Sequence, residues 1–135
     1  MIRNNSLSRS RRHDIYLANS HDVEVVGNNV KTLSFGVELF QDGLAISQGE
    51  LNNDLIDGNR IRVITAGALA GRLYCSNLTA TECSSYLTSR NNRFQENKYV
   101  VPDLLARYWY WNDGARTWSE WQGIGQDLAG SIRSP

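Results

Sequence analysis

Apolar residues in this chain alternate with polar ones, and nowhere does a helical spacing of apolar residues persist beyond a turn or two. The clearest stretch sets Leu33, Phe35, Val37 and Leu39 against Ser34, Gly36 and Glu38. A period of two places one set of side chains on a buried face and the other in water, which is a strand. Ile61, Val63 and Thr65 repeat the pattern against Arg60 and Arg62. Shorter β-like runs start at Ile15, Val23, Leu73 and Lys98. About eight such runs are separated by turn chemistry, which thirteen Asn and eleven Gly supply.

This pattern predicts an all-β chain, a single-domain β-sandwich or jelly-roll-like barrel. A βαβ fold is disfavoured because nothing reads as a crossover helix. Asp42-Gly43 predicts a hairpin, with Leu44 and Ile46 on the return strand. Residues 84–97 are mostly polar and read as a long loop. A length of 135 residues suits one domain. Its divisions are a basic polar arm over 1–13, a β domain over 14–122 and a trailing segment over 123–135.

The stretch Leu33–Val63 carries a strand, Asp42-Gly43, then Glu50-Leu51-Asn52-Asn53-Asp54-Leu55-Ile56 and Asp57-Gly58. In element order it is similar to one half of a cyanovirin-type lectin. That family's second half should repeat the first, but after Leu78-Thr79-Ala80-Thr81-Glu82-Cys83 the Asn-rich element does not return in order. Hairpin chemistry alone can produce the likeness.

Fourteen basic and fourteen acidic residues cancel, which excludes a uniformly basic nucleic-acid binder. The charges are unevenly spread. Arg3, Arg9, Arg11 and Arg12 crowd the first thirteen residues with no acid, leaving the rest mildly acidic. Such an arm could contact neighbouring subunits, or phosphates of a nucleic acid. No apolar run is long enough to span a bilayer, so membrane insertion is not expected. The N-terminus lacks the apolar stretch of a secretory signal, which points to a cytoplasmic or particle-associated protein. Cys75 and Cys83 are close enough in sequence for a small disulfide loop but do not demand one.

The catalytic inventory is thin. His13 lies in the basic arm and His21 in a polar turn, and no nucleophile elbow, phosphate loop or dinucleotide fingerprint occurs. No catalytic residue, cofactor or metal is expected. The Asn- and Asp-rich loop over residues 50–59 offers oxygen ligands, but its spacing is not that of a helix-flanked calcium loop, and turn formation explains it.

All four tryptophans fall between residues 109 and 121. Tyr108, Trp109, Tyr110 and Trp111 lead into the turn Asn112-Asp113-Gly114, followed by Trp118 and Trp121. Rings on both faces of a hairpin suggest that one set stays near the surface, where it suits sugar stacking or a protein partner. The reading is a non-catalytic, lectin-like binder of a glycan or protein surface, forming a homo-oligomer. Its proposed ligand contacts are Tyr108, Trp109, Tyr110, Trp111, Asn112, Asp113, Trp118 and Trp121. The alternative is a structural subunit of a virus or phage particle using the Arg arm, and a small hydrolase comes third.

Overall fold

A computed structural model describes residues 1–111 and 114–135. The chain winds as a coil of short strands, three to a turn. The first turn holds β1 (Ile2–Arg3), β2 (Ser6–Ser8) and β3 (His13–Ala18). The second holds β4 (Glu24–Val26), β5 (Asn29–Thr32) and β6 (Phe35–Asp42). The third holds β7 (Leu55–Asp57), β8 (Arg60–Val63) and β9 (Leu69–Ser76). The fourth holds β10 (Arg93–Gln95), β11 (Lys98–Val100) and β12 (Trp109–Trp111).

Each strand pairs in parallel with its equivalent one turn away, which builds three sheets. The first sheet is β1-β4-β7-β10. The second orders β2-β5-β8-β11 and gains β14 (Ser131–Arg133). The third orders β3-β6-β9-β12 and ends on β13 (Gly114–Arg116), its one antiparallel member. This is a parallel β-solenoid, and it overturns the expected sandwich or jelly-roll-like barrel. The expectation failed because alternation shows that one face is buried without showing what lies beside the strand. Parallel strands here need no crossover helix, since each turn of the coil supplies the connection itself.

The core is stacked in columns. Ile2, Val25, Ile56 and Phe94 are in register on the first sheet. Leu7, Val30, Ile61, Tyr99 and Ile132 are in register on the second. Leu17, Leu39, Leu73 and Trp111 do the same on the third. Gly71 has a packing reason to lack a side chain, because a Cβ there would lie 2.9 Å from the Phe94 ring.

The corner between the first two sheets is where the sequence writes the fold. Ile2-Arg3-Asn4-Asn5, Val25-Val26-Gly27-Asn28, Ile56-Asp57-Gly58-Asn59 and Phe94-Gln95-Glu96-Asn97 share one pattern. Its third residue is left-handed in every copy, with φ of 56°, 64°, 59° and 53°. Its fourth is an Asn whose side chain reaches the next turn. The backbone amide of Asn28 donates to Asn59 Oδ1 at 2.8 Å, and that of Asn59 to Asn97 Oδ1 at 2.9 Å. Asn5 stands before this ladder, and Asp127 ends it by accepting from the Asn97 amide at 2.9 Å. The ladder satisfies the amides that the bend would otherwise leave bare in the interior. Asp127 Oδ2 also accepts from the Tyr99 hydroxyl at 2.6 Å and Trp121 Nε1 at 3.0 Å. Burial, and then the Asp127 charge, push the Tyr99 hydroxyl well above its ordinary value.

A second ladder occupies another corner. Asn91 donates to Asn53 at 2.6 Å and Asn53 to Asp22 at 2.7 Å, all three left-handed. Behind them the Asp54 amide donates to Asn92 Oδ1 at 3.1 Å, and Asp54 accepts from the Val23 amide at 2.8 Å. Burial raises the Asp54 carboxyl above its usual range. The Asn- and Asp-rich loop is therefore corner chemistry.

Of the four left-handed residues at the first corner, Glu96 is the one with a long side chain. A left-handed L-residue costs roughly 1–2 kcal/mol, partly offset by the entropy glycine gives the unfolded chain. Glu96→Gly is expected to stabilise the protein by about 0.5–1 kcal/mol, read as a rise in the urea midpoint. A midpoint that falls contradicts the strain.

Several local expectations change. Asp42-Gly43 closes no hairpin. Asp42 caps a 3-10 turn over Gly43–Gln48, which leaves Leu44 exposed, because β6 is already flanked by β3 and β9. The expected long polar loop over 84–97 takes in the second half of helix α1 (Ala80–Thr88), which a capping box between Thr79 and Glu82 starts, and strand β10. Cys75 and Cys83 form a disulfide that ties α1 to β9. The segments read as arm and trailing end contain β1, β2 and β14. No helix among the described residues is long and apolar enough to cross a membrane.

Candidate ligand-binding face

The expected aromatic platform is mostly core. Trp109 and Trp121 are fully buried, and Tyr108 and Trp111 are nearly so. The antiparallel return is β13 alone. The chain then forms helix α2 (Trp118–Gly123), begun by a capping box between Thr117 and Glu120. This helix lays Trp121 across the end of the coil, 5.1 Å from Phe94 and 5.4 Å from Trp111 between ring centroids. Half-buried Trp118 packs 5.1 Å from Trp109 and 5.6 Å from Tyr99. Among the described residues no further turn covers the fourth, and the indoles close that end against water. Asn112 and Asp113 lie outside the described residues. Of the predicted contacts, Tyr110 stands on an outer face.

That outer face belongs to the third sheet and carries rings from all four turns. Along β3, buried Ile15 and Leu17 flank Tyr16, which is 45% exposed. Tyr16, Glu38, Arg72 and Tyr110 are in register, and Phe40 and Tyr74 form the adjacent column. Ring centroids run Tyr16 to Phe40 at 5.8 Å, Phe40 to Tyr74 at 5.9 Å and Tyr74 to Tyr110 at 6.3 Å. The stripe bends around a charged centre.

Glu38 is the centre. It is only 3% exposed although its strand position faces outward. Arg72 reaches its Oε2 at 3.4 Å. His13 Nδ1 lies 2.9 Å from the same oxygen, at an angle that is not that of a hydrogen bond. The Arg72 guanidinium also lies over three rings, 4.4 Å from Tyr74, 4.9 Å from Phe35 and 5.4 Å from Tyr110. Its Nε is buried without a hydrogen-bond partner among the described residues. Burial, and then the Glu38 charge, raise the Tyr16 hydroxyl above its ordinary value, so it is a neutral donor.

Polar groups continue the face beyond the rings. Asp42 follows Phe40 by two residues and Ser76 follows Tyr74, so each pair shares a strand face. Asn77 donates to Asp42 Oδ1 at 2.9 Å, and this bond is the chief cause holding the Asp42 carboxyl below its usual range. The face can therefore stack on apolar ring faces while bonding hydroxyls, the combination a sugar chain presents.

The four arginines scatter. Arg3 is in β1, Arg9 follows β2, and Arg11 and Arg12 lie in the bend before β3, all exposed. His21 is exposed, 3.1 Å from Asp22. Sequence reasoning missed Tyr16, Glu38, Phe40, Arg72 and Tyr74 as a group. The available signal was one outward ring per turn, hidden because the turns differ in length. Comparison of the chain with protein-family models, with curated proteins and with solved structures finds no match.

Proposed function

We propose that the protein is a non-catalytic glycan-binding module that holds a sugar chain lengthwise along the outer face of the third sheet. The observation that carries this reading is the four-ring stripe Tyr16–Phe40–Tyr74–Tyr110 wrapped around the Glu38–Arg72 pair. Parallel strands stand about 4.8 Å apart, so four turns present rings over a length suited to a short oligosaccharide. Asp42 and Ser76 supply acceptors for hydroxyls at the edge of the stripe. Retaining and inverting sugar hydrolysis canonically need two facing carboxyl groups, and Glu38 faces the Arg72 guanidinium and the His13 ring instead of a second carboxyl. Binding without reaction is the chemistry the face supports.

A glycan array followed by calorimetry tests it. Tyr74→Ala and Tyr16→Ala are each expected to weaken the best array ligand about tenfold, a loss of about 1.4 kcal/mol per ring. An array without hits, or unchanged affinity in the triple variant Tyr16→Ala, Tyr74→Ala, Tyr110→Ala, refutes the reading.

A further inference from the structure

The outer face of the second sheet is a ladder of unpaired cations. Its outward positions follow from the core column Leu7-Val30-Ile61-Tyr99-Ile132, since residues on either side of each member point the other way. One outward column reads Ser6-Asn29-Arg60-Lys98-Ser131, and the other Ser8-Lys31-Arg62-Val100-Arg133, in which Val100 is buried between Arg62 and Arg133. Arg9, just past β2, borders a groove of about 640 Å³ together with Lys31 and Arg62. None of the five strands contains an Asp or Glu. Arg9, Lys31, Arg60, Arg62, Lys98 and Arg133 are all exposed. None of the six has a side-chain hydrogen bond or ion pair among the described residues, whereas Arg72, Arg90 and Arg107 each have a carboxylate.

Such a ladder opposes folding. Arg60 stands directly opposite Lys98, and Lys31 opposite Arg62. Like charges opposite one another on neighbouring strands are destabilising. The chain is neutral overall, so six cations gathered on one face of the second sheet form a segregated field that an anion relieves.

We propose that this face binds a linear acidic polysaccharide, its carboxylate or sulfate groups lying along the ladder. Successive strands repeat every 4.8 Å or so, close to the length of one pyranose unit, and five strands span about 20 Å. Four of the six cations are Arg, whose planar forks take carboxylate and sulfate through paired hydrogen bonds. The Cys75–Cys83 disulfide points to an oxidising environment, where acidic glycans rather than nucleic acids are the common polyanions. The cations stand on a sheet surface and not on a helix that could enter a major groove. This inference does not depend on the aromatic stripe.

The test titrates the full chain with heparin, with polygalacturonate and with neutral dextran at low salt, by calorimetry and thermal shift. One or both acidic chains should bind and raise the melting temperature, and dextran should not. If about four ion contacts form, raising salt from 50 to 200 mM should weaken binding about fifty-fold. The double variant Arg60→Ser, Arg62→Ser should weaken it at least tenfold while its own melting temperature holds or rises, because a repulsion is removed. It should leave the array ligand of the third sheet untouched, just as Tyr74→Ala should leave heparin binding untouched. Absence of binding to both acidic polysaccharides overturns the proposal. So does tighter binding to duplex DNA than to heparin at equal salt, which assigns the face to nucleic acid. Salt-sensitive dimerisation of the free chain that the double variant abolishes also overturns it, and assigns the face to a second copy.

Discussion

Asn59→Ala is expected to cost about 3–5 kcal/mol, a large share of the roughly 5–15 kcal/mol that holds a domain together. Asn59 Oδ1 accepts from the Asn28 backbone and side-chain amides at 2.8 and 2.9 Å. Its Nδ2 donates to the Val25 carbonyl at 2.8 Å and to Asn97 Oδ1 at 2.9 Å. The site is fully buried, so truncation orphans the Asn28 backbone N–H and takes one partner from the Val25 carbonyl, while Asn28 Nδ2 keeps the Ile2 and Val26 carbonyls and Asn97 Oδ1 keeps the Asn59 backbone amide. The orphaned group costs about 1–3 kcal/mol and each further lost bond about 1 kcal/mol. Asn29→Ala, one residue past the ladder member Asn28 and exposed, should change stability by about 0.5 kcal/mol or less. Guanidinium unfolding of both variants decides the matter. Equal midpoints would mean that the ladder is incidental to the coil.

The second large effect separates two neighbouring rings. Trp109 is fully buried and packs within 5.1 Å of Tyr99 and of Trp118. Trp109→Ala should cost about 3–5 kcal/mol, the range for deleting a large core aromatic. Tyr110 is half-buried on the outer face, with Tyr74 and Arg72 as its ring contacts. Tyr110→Ala should cost about 1 kcal/mol and act chiefly on the glycan. Paired denaturation and array measurements check this. A Trp109 variant as stable as the parent would mean that the indole cap does not seal the core.

These two residues show where sequence reading stops. Adjacent residues on a strand face opposite sides, so Trp109 and Tyr110 had to differ. Which one was interior depended on β9 lying beside β12 and on α2 folding over the end. Trp121 sits at the proper distance for a hairpin partner, yet Thr117 and Glu120 start a helix there. The hairpin expected at Asp42-Gly43 failed for a related reason. A turn signal states that the chain bends, and the strands flanking β6 state where it goes.

Local sequence did fix the vocabulary of this protein: short strands with one apolar face, corners made of Asn and Gly, and few helices. Those choices depend on backbone dihedral preference and on the period of apolar side chains, which neighbours a few residues apart express. The assembly of that vocabulary into a parallel coil was decided in three dimensions. Successive rungs of the Asn ladder lie 23, 31 and 38 residues apart, and unequal turns disguise the repeat. The ring stripe and the cation ladder arise in the same way, because their members become neighbours only when the turns stack in register.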